Sequence, residues 1–109
     1  MATRIFINTP TNGKKEDVAA RISELSKRIM GRGDIPVSPL EVSVGVKSLG
    51  DHIGDDVAAV IDDCDGIVLD MGWKNNEVCM VIYHAAIVFK KTVYHTKEEY
   101  DNVRSKYVI

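Results

Sequence analysis

Gly66 to Met71 reads GIVLDM, an apolar run that meets no charged residue until Asp70. A strand with one wet face alternates apolar and polar side chains. A near-continuous run is buried on both faces, which requires a parallel sheet with helices on either side. The rest of the chain supplies those parts in alternation. Arg4 to Asn8 (RIFIN) is a second short buried strand, bounded by the turn formers Thr9 to Gly13. Val18, Ile22, Leu25 and Ile29 recur at helical spacing from Lys15 to Met30, and that helix stops at Gly31 and Gly33.

Pro36 and Pro39 cannot donate to a sheet ladder, so Ile35 to Val46 reads as a short strand near Pro36 to Ser38 followed by an irregular connection. Asp51 to Asp63 has Ile53, Val57, Val60 and Ile61 on one face and acids at its start, predicting a second helix that runs to Cys64. After a turn at Gly72 and Trp73, Asn75 or Asn76 caps a helix to about Phe89. Lys91 to His95 (KTVYH) is a fourth strand, and Thr96 caps a last helix with Glu98 and Glu99 in its first turn. The predicted fold is α/β: a small flavodoxin- or Rossmann-like three-layer sandwich with a parallel sheet of about four strands and right-handed crossovers. Its 109 residues suit one domain, residues 1–109.

Composition removes several function classes. With 14 basic and 16 acidic residues the net charge is -2, so there is no basic field to drive counterion release, and polymeric nucleic acid is excluded as a partner. The two cysteines, Cys64 and Cys79, sit within apolar patterns and read as core thiols. His52, His84 and His95 are scattered without metal-ligand spacing, so neither a metal nor a cofactor is expected. The N-terminal apolar stretch of about five residues is too short for a signal core or a membrane span, which predicts a cytoplasmic protein with no membrane partner. Arg32 to Asp34 spells RGD, but it follows a glycine helix stop and reads as a connecting turn.

Ligands of open α/β sheets bind beyond the carboxyl ends of the strands, where strand order reverses. Three loops qualify: Asn8 to Gly13 (NTPTNG), Pro39 to Gly50, and Asp70 to Glu77 (DMGWKNNE). In the first, Asn8, Thr9, Pro10, Thr11, Asn12 and Gly13 offer hydroxyls, amides and a closing glycine to a sugar or phosphate at a helix start. The same residues also suit a plain strand-to-helix turn that satisfies its own backbone. On the third loop, Trp73 stacks on a base or closes the edge of the core. Asp70 accepts from a sugar hydroxyl or serves as a solvated cap. Glu77 stands in a first helical turn, where the helix dipole alone favours a carboxylate. His84 has no nucleophile elbow near it and reads as a helix residue.

Three segments taken in order resemble a family: Ile7, Pro10 and Gly13 as IxxPxxG; Asp56, then Cys64 and Asp65; and Gly72, Trp73, Tyr83, Ala86, Val93 and Tyr94. From Ile5 to about Tyr94 the chain is similar to the nucleoside 2-deoxyribosyltransferase superfamily. It is closest to a small branch whose first loop reads SGPMTG and whose third strand ends in PGW. The resemblance implies cleavage or exchange of the N-glycosidic bond of a deoxynucleoside or its monophosphate. The first loop, Asn8 to Gly13, would hold sugar or phosphate, Asp56 would assist, and a helix glutamate would attack the anomeric carbon. That glutamate falls on Ile82, and Phe6 stands where many members have a tyrosine. A branched alkane neither attacks nor stabilises an oxocarbenium-like charge.

The expectation is therefore a nucleoside- or nucleotide-binding member without the usual nucleophile. Its ligand-binding residues are Asn8, Thr9, Pro10, Thr11, Asn12, Gly13, Asp70, Gly72 and Trp73, with Asp56 beside them. Two alternatives stay open. One is an active N-glycosidase or transferase using Glu77 or Asp70 with Asp56 as catalytic residues; Glu77, five residues before Ile82, lies some 140° around the helix. The other is a scaffold that binds no ligand. The resemblance also implies a homodimer or larger homo-oligomer.

Overall fold

Four parallel strands lie in the order β2-β1-β3-β4: β1 Arg4–Asn8, β2 Ile35–Val37, β3 Gly66–Leu69 and β4 Thr92–Tyr94. The computed structural model describes residues 2–45 and 47–105, with the side chains of 104 and 105 excepted. Register is continuous across the sheet, with Phe6 opposite Val37 on one side and Ile67 on the other, and Val68 opposite Tyr94. The helices between and after the strands are α1 Lys15–Gly31, the single turn α2 Pro39–Val42, α3 Leu49–Asp63, α4 Glu77–Val88 and α5 Lys97–Ser105.

The pleat sends alternate strand residues to two cores. Ile5, Ile7, Val68 and Tyr94 meet Val18, Ile22, Leu25 and Ile29 of α1 and Tyr100 of α5. Phe6, Val37, Ile67 and Leu69 meet Val60, Cys64, Ile82 and Ala86 on the face covered by α3 and α4. The result is a three-layer α/β sandwich of the small Rossmann or flavodoxin kind. Sheet spacing is tight at Gly66, where an added Cβ would stand 2.8 Å from the Thr92 carbonyl oxygen. No described helix is long and apolar enough to cross a membrane.

Local chemistry sets the boundaries. Ser48 Oγ accepts from the Asp51 amide, which starts α3 at Leu49, two residues before the periodic pattern begins. The connection after β2 is not wholly irregular: Ser38 Oγ accepts from the Leu40 amide, and Pro39, which needs no partner in a first turn, opens α2. Val46, the end of that predicted connection, lies outside the described residues. β3 ends at Leu69, short of Met71, because Gly72 turns the chain away at φ 88°. Asn76 Oδ1 accepts from the Cys79 amide and caps α4, and Thr96 Oγ1 accepts from the Glu99 amide and caps α5.

Candidate functional site

Strand order reverses between β1 and β3, so the loops after these strands lie side by side. The Asp70 amide donates to the Asn8 carbonyl at 3.1 Å, and the Thr9 hydroxyl donates to Asp70 Oδ2 at 2.8 Å. Arg21 Nε of α1 stands 3.6 Å from the same oxygen. Through Oδ2, Asp70 thus helps hold the two loops together. Asn8 is 1% exposed; its Nδ2 donates to the Cys79 carbonyl at 3.0 Å, and its buried Oδ1 has no protein partner.

The remaining loop residues divide. Pro10 packs beside Gly72, and exposed Asn12 accepts from Asn76 Nδ2 at 3.4 Å. Gly13 is exposed, and a Cβ there would meet only Val18 Cγ2 at 3.8 Å, so steric demand does not require the glycine. Thr11 reaches a cleft of about 200 Å³ bounded by Pro39, Ser43, His52 and Asp56, and by Val78 of α4. Asp70, Gly72 and Trp73 instead border a second cleft of about 370 Å³ with Lys74, His95 and Lys97. Of the predicted ligand residues, Thr11 borders the smaller hollow and Asp70, Gly72 and Trp73 the larger, whereas Asn8, Thr9, Pro10, Asn12 and Gly13 line neither. Trp73 packs against the core, its ring centroid 4.7 Å from that of Tyr83, and also forms a wall of the larger hollow.

The smaller cleft holds the chemistry. Asp56 is 6% exposed, and its buried Oδ1 has no hydrogen-bond partner. Burial, with a lesser push from the Asp55 carboxylate, raises its acid from the ordinary 3.8 to about 7. Burial, then Asp56 and Asp70, pushes the Cys79 thiol up to about 12, so this cysteine stays a protonated core residue. Cys64, also buried, is raised to about 11, burial again being the main cause. Both are the core thiols expected.

One group of residues in this cleft escaped the sequence pattern. Ser43 Oγ lies 2.5 Å from His52 Nδ1 and donates to Asp55 Oδ2 at 2.9 Å, while Lys47 Nζ reaches the same carboxylate oxygen at 2.7 Å. Lys47 and then Ser43 hold the Asp55 acid below its ordinary value. Ser43 has one hydroxyl proton and gives it to Asp55, so Nδ1 of His52 is the donor to Ser43. His52 and Asp56 are four residues apart on α3 and border the same cleft. That spacing was the available signal.

Ile82, where the resemblance expects the nucleophile, is 2% exposed among Phe6, Val60 and Leu69. Glu77 is exposed in the first turn of α4 and borders neither hollow. Among the described residues no three His, Cys, Asp or Glu side chains gather as a metal cage. In comparisons with known proteins, no protein-family model matches the chain, and no curated protein matches it.

Proposed function

We propose that this chain is a nucleoside- or nucleotide-binding member of the nucleoside 2-deoxyribosyltransferase-like superfamily that has lost the family's attacking glutamate. The observation that carries the reading is a contrast on facing helices. Ile82 of α4 is packed into the core, while Asp56 of α3 borders an open cleft and keeps a buried oxygen without a partner. A carboxyl that gains nothing from its neighbours costs stability, and ligand contact is a reason to keep it. The Thr11 hydroxyl and the His52 imidazole add polar groups, with Pro39 and Val78 as apolar walls, a mixture suited to a sugar or base. A cytoplasmic location and assembly into a homodimer or larger homo-oligomer are part of this reading.

Calorimetry against nucleosides, nucleoside monophosphates and ADP-ribose-like sugars tests it. Saturable heat with at least one of them supports the reading; silence across the panel overturns it in favour of a scaffold. A second reading, N-glycosidase action, draws on one observation: an acid titrating near 7 suits proton donation to a leaving base. It needs Glu77 or Asp70 as the attacking group. Asp70 is held by Thr9 and Arg21, and Glu77 stands outside the cleft. Chromatographic detection of free base after incubation with nucleoside monophosphates separates the two readings.

A further inference from the structure

Leu49, His52 and Asp56 stand three and then four residues apart on α3, so they share one side of the helix, and all three border the smaller cleft. Their exposure is graded. Asp56 is 6% exposed, His52 is half-buried, and Leu49, at the helix start, is 63% exposed. Leu40 of α2 borders the same cleft and is 45% exposed. A single exposed leucine needs no cause. Two, brought from different helices to one cleft, form an apolar rim around an opening whose inner end carries a carboxyl.

That rim is held in place without a ligand. Ser43, three residues after Leu40, bonds to His52 and Asp55 of α3, and Lys47 fastens Asp55 again. The chain that carries Leu40 is thereby tied to the helix that carries Leu49, which leaves little ordering for binding to impose. Among the described residues no lysine or arginine borders this cleft, so no such cation draws an anionic group to its mouth.

We infer that the smaller cleft takes a nucleoside with a hydrocarbon substituent on its base, the sugar lying toward Asp56 and the substituent on Leu40 and Leu49. The inference rests on the nucleoside reading proposed above and adds the chemistry of the ligand's outer end. Sugar hydroxyls suit the polar inner end formed by Asp56 and His52. A volume of about 200 Å³, that of about seven waters, holds a sugar and part of a base, which leaves the far edge of the base at the rim. Leucines offer that edge no hydrogen bond, so contact there grows with apolar area alone.

Calorimetry of the full chain tests this with adenosine and cytidine, each with and without a benzyl group on the exocyclic nitrogen of the base. In at least one pair the benzyl group should lower Kd by about tenfold, the scale of moving part of an aromatic ring from water onto the leucines. A benzylthio group in place of the 5′ hydroxyl should give no such gain. Leu40→Ser with Leu49→Ser, both at exposed positions, should bring the two Kd values within about twofold of each other. Leu40→Met with Leu49→Met keeps the hydrocarbon and should keep the gain. A gain below about threefold, a gain that survives the serine changes, or one confined to the 5′ compound would each overturn the inference. So would a loss of mass on light scattering of the serine variant, which would give the leucines to a second copy. If the unmodified nucleosides bind and the benzyl group adds nothing, this inference alone fails; if no compound gives heat, the nucleoside reading fails with it.

Discussion

The Thr9 hydroxyl donates to Asp70 Oδ2 across 2.8 Å, tying the residue after β1 to the residue after β3 where strand order reverses. Thr9 is 4% exposed, so water cannot easily replace that bond. Its loss should loosen both loops around the cleft. Thr9→Val keeps the shape, removes the donor, and is expected to lower unfolding free energy by about 1–2 kcal/mol in urea titrations, with the slope unchanged.

Ile82→Glu places a carboxylate where the resemblance leads one to expect it, but inside the core. A carboxylate placed among Phe6, Val60 and Leu69 has no partner waiting for it. The variant should be destabilised by about 3–5 kcal/mol and release no base from nucleoside monophosphates. A stable Ile82→Glu protein that cleaves the N-glycosidic bond would show that position 82 still addresses the cleft.

Asp56 makes stability fall as pH rises. Its acid stands at about 7 in the folded chain against an ordinary 3.8, so between those values the folded state holds a proton that the unfolded state has lost. The group therefore adds no ionisation penalty below about pH 4, and that penalty grows until the folded acid has ionised above about pH 7. Asp56→Asn should flatten this part of the pH–stability profile. At pH 8 it should stabilise the protein by on the order of 2–4 kcal/mol, as read by denaturation across the pH range.

Tyr100 of α5 is fully buried, and its hydroxyl donates to the buried Asp34 Oδ2 at 2.7 Å, fastening α5 to the turn before β2. Tyr100→Phe removes a hydrogen bond to a carboxylate. The expected cost is about 1.5–3 kcal/mol, measurable as a lowered urea midpoint.

What the sequence made legible was whatever is decided within a few residues. Two-faced burial of β3 follows from GIVL alone, the cap at Thr96 follows from residue type and position, and that of α4 was narrowed to Asn75 or Asn76, of which the fold uses Asn76. Ser48 and the Ser38-Pro39 pair carried the same kind of signal for α3 and α2, but the apolar period begins later than the first and is too short for the second. Contacts between distant segments were not legible. Asp34 in the RGD turn is buried because Tyr100, sixty-six residues away, donates to it. Ser43 meets His52 and Asp55 only after α2 folds back over α3. Asp70 Oδ2 meets Thr9 and Arg21, two partners that its own loop does not announce.

Amide chemical-shift mapping reads, residue by residue, whether the cleft beside Asp56 takes the proposed ligand. A labelled chain is titrated with nucleosides and nucleoside monophosphates, and the perturbed residues are placed on the fold. Saturable shifts are expected to centre on Thr11, Ser43, His52, Asp56 and Val78 and to be lost in Asp56→Ala. Absence of shifts across the panel, or shifts centred on Trp73, His95 and Lys97 at the other hollow, would contradict binding in this cleft.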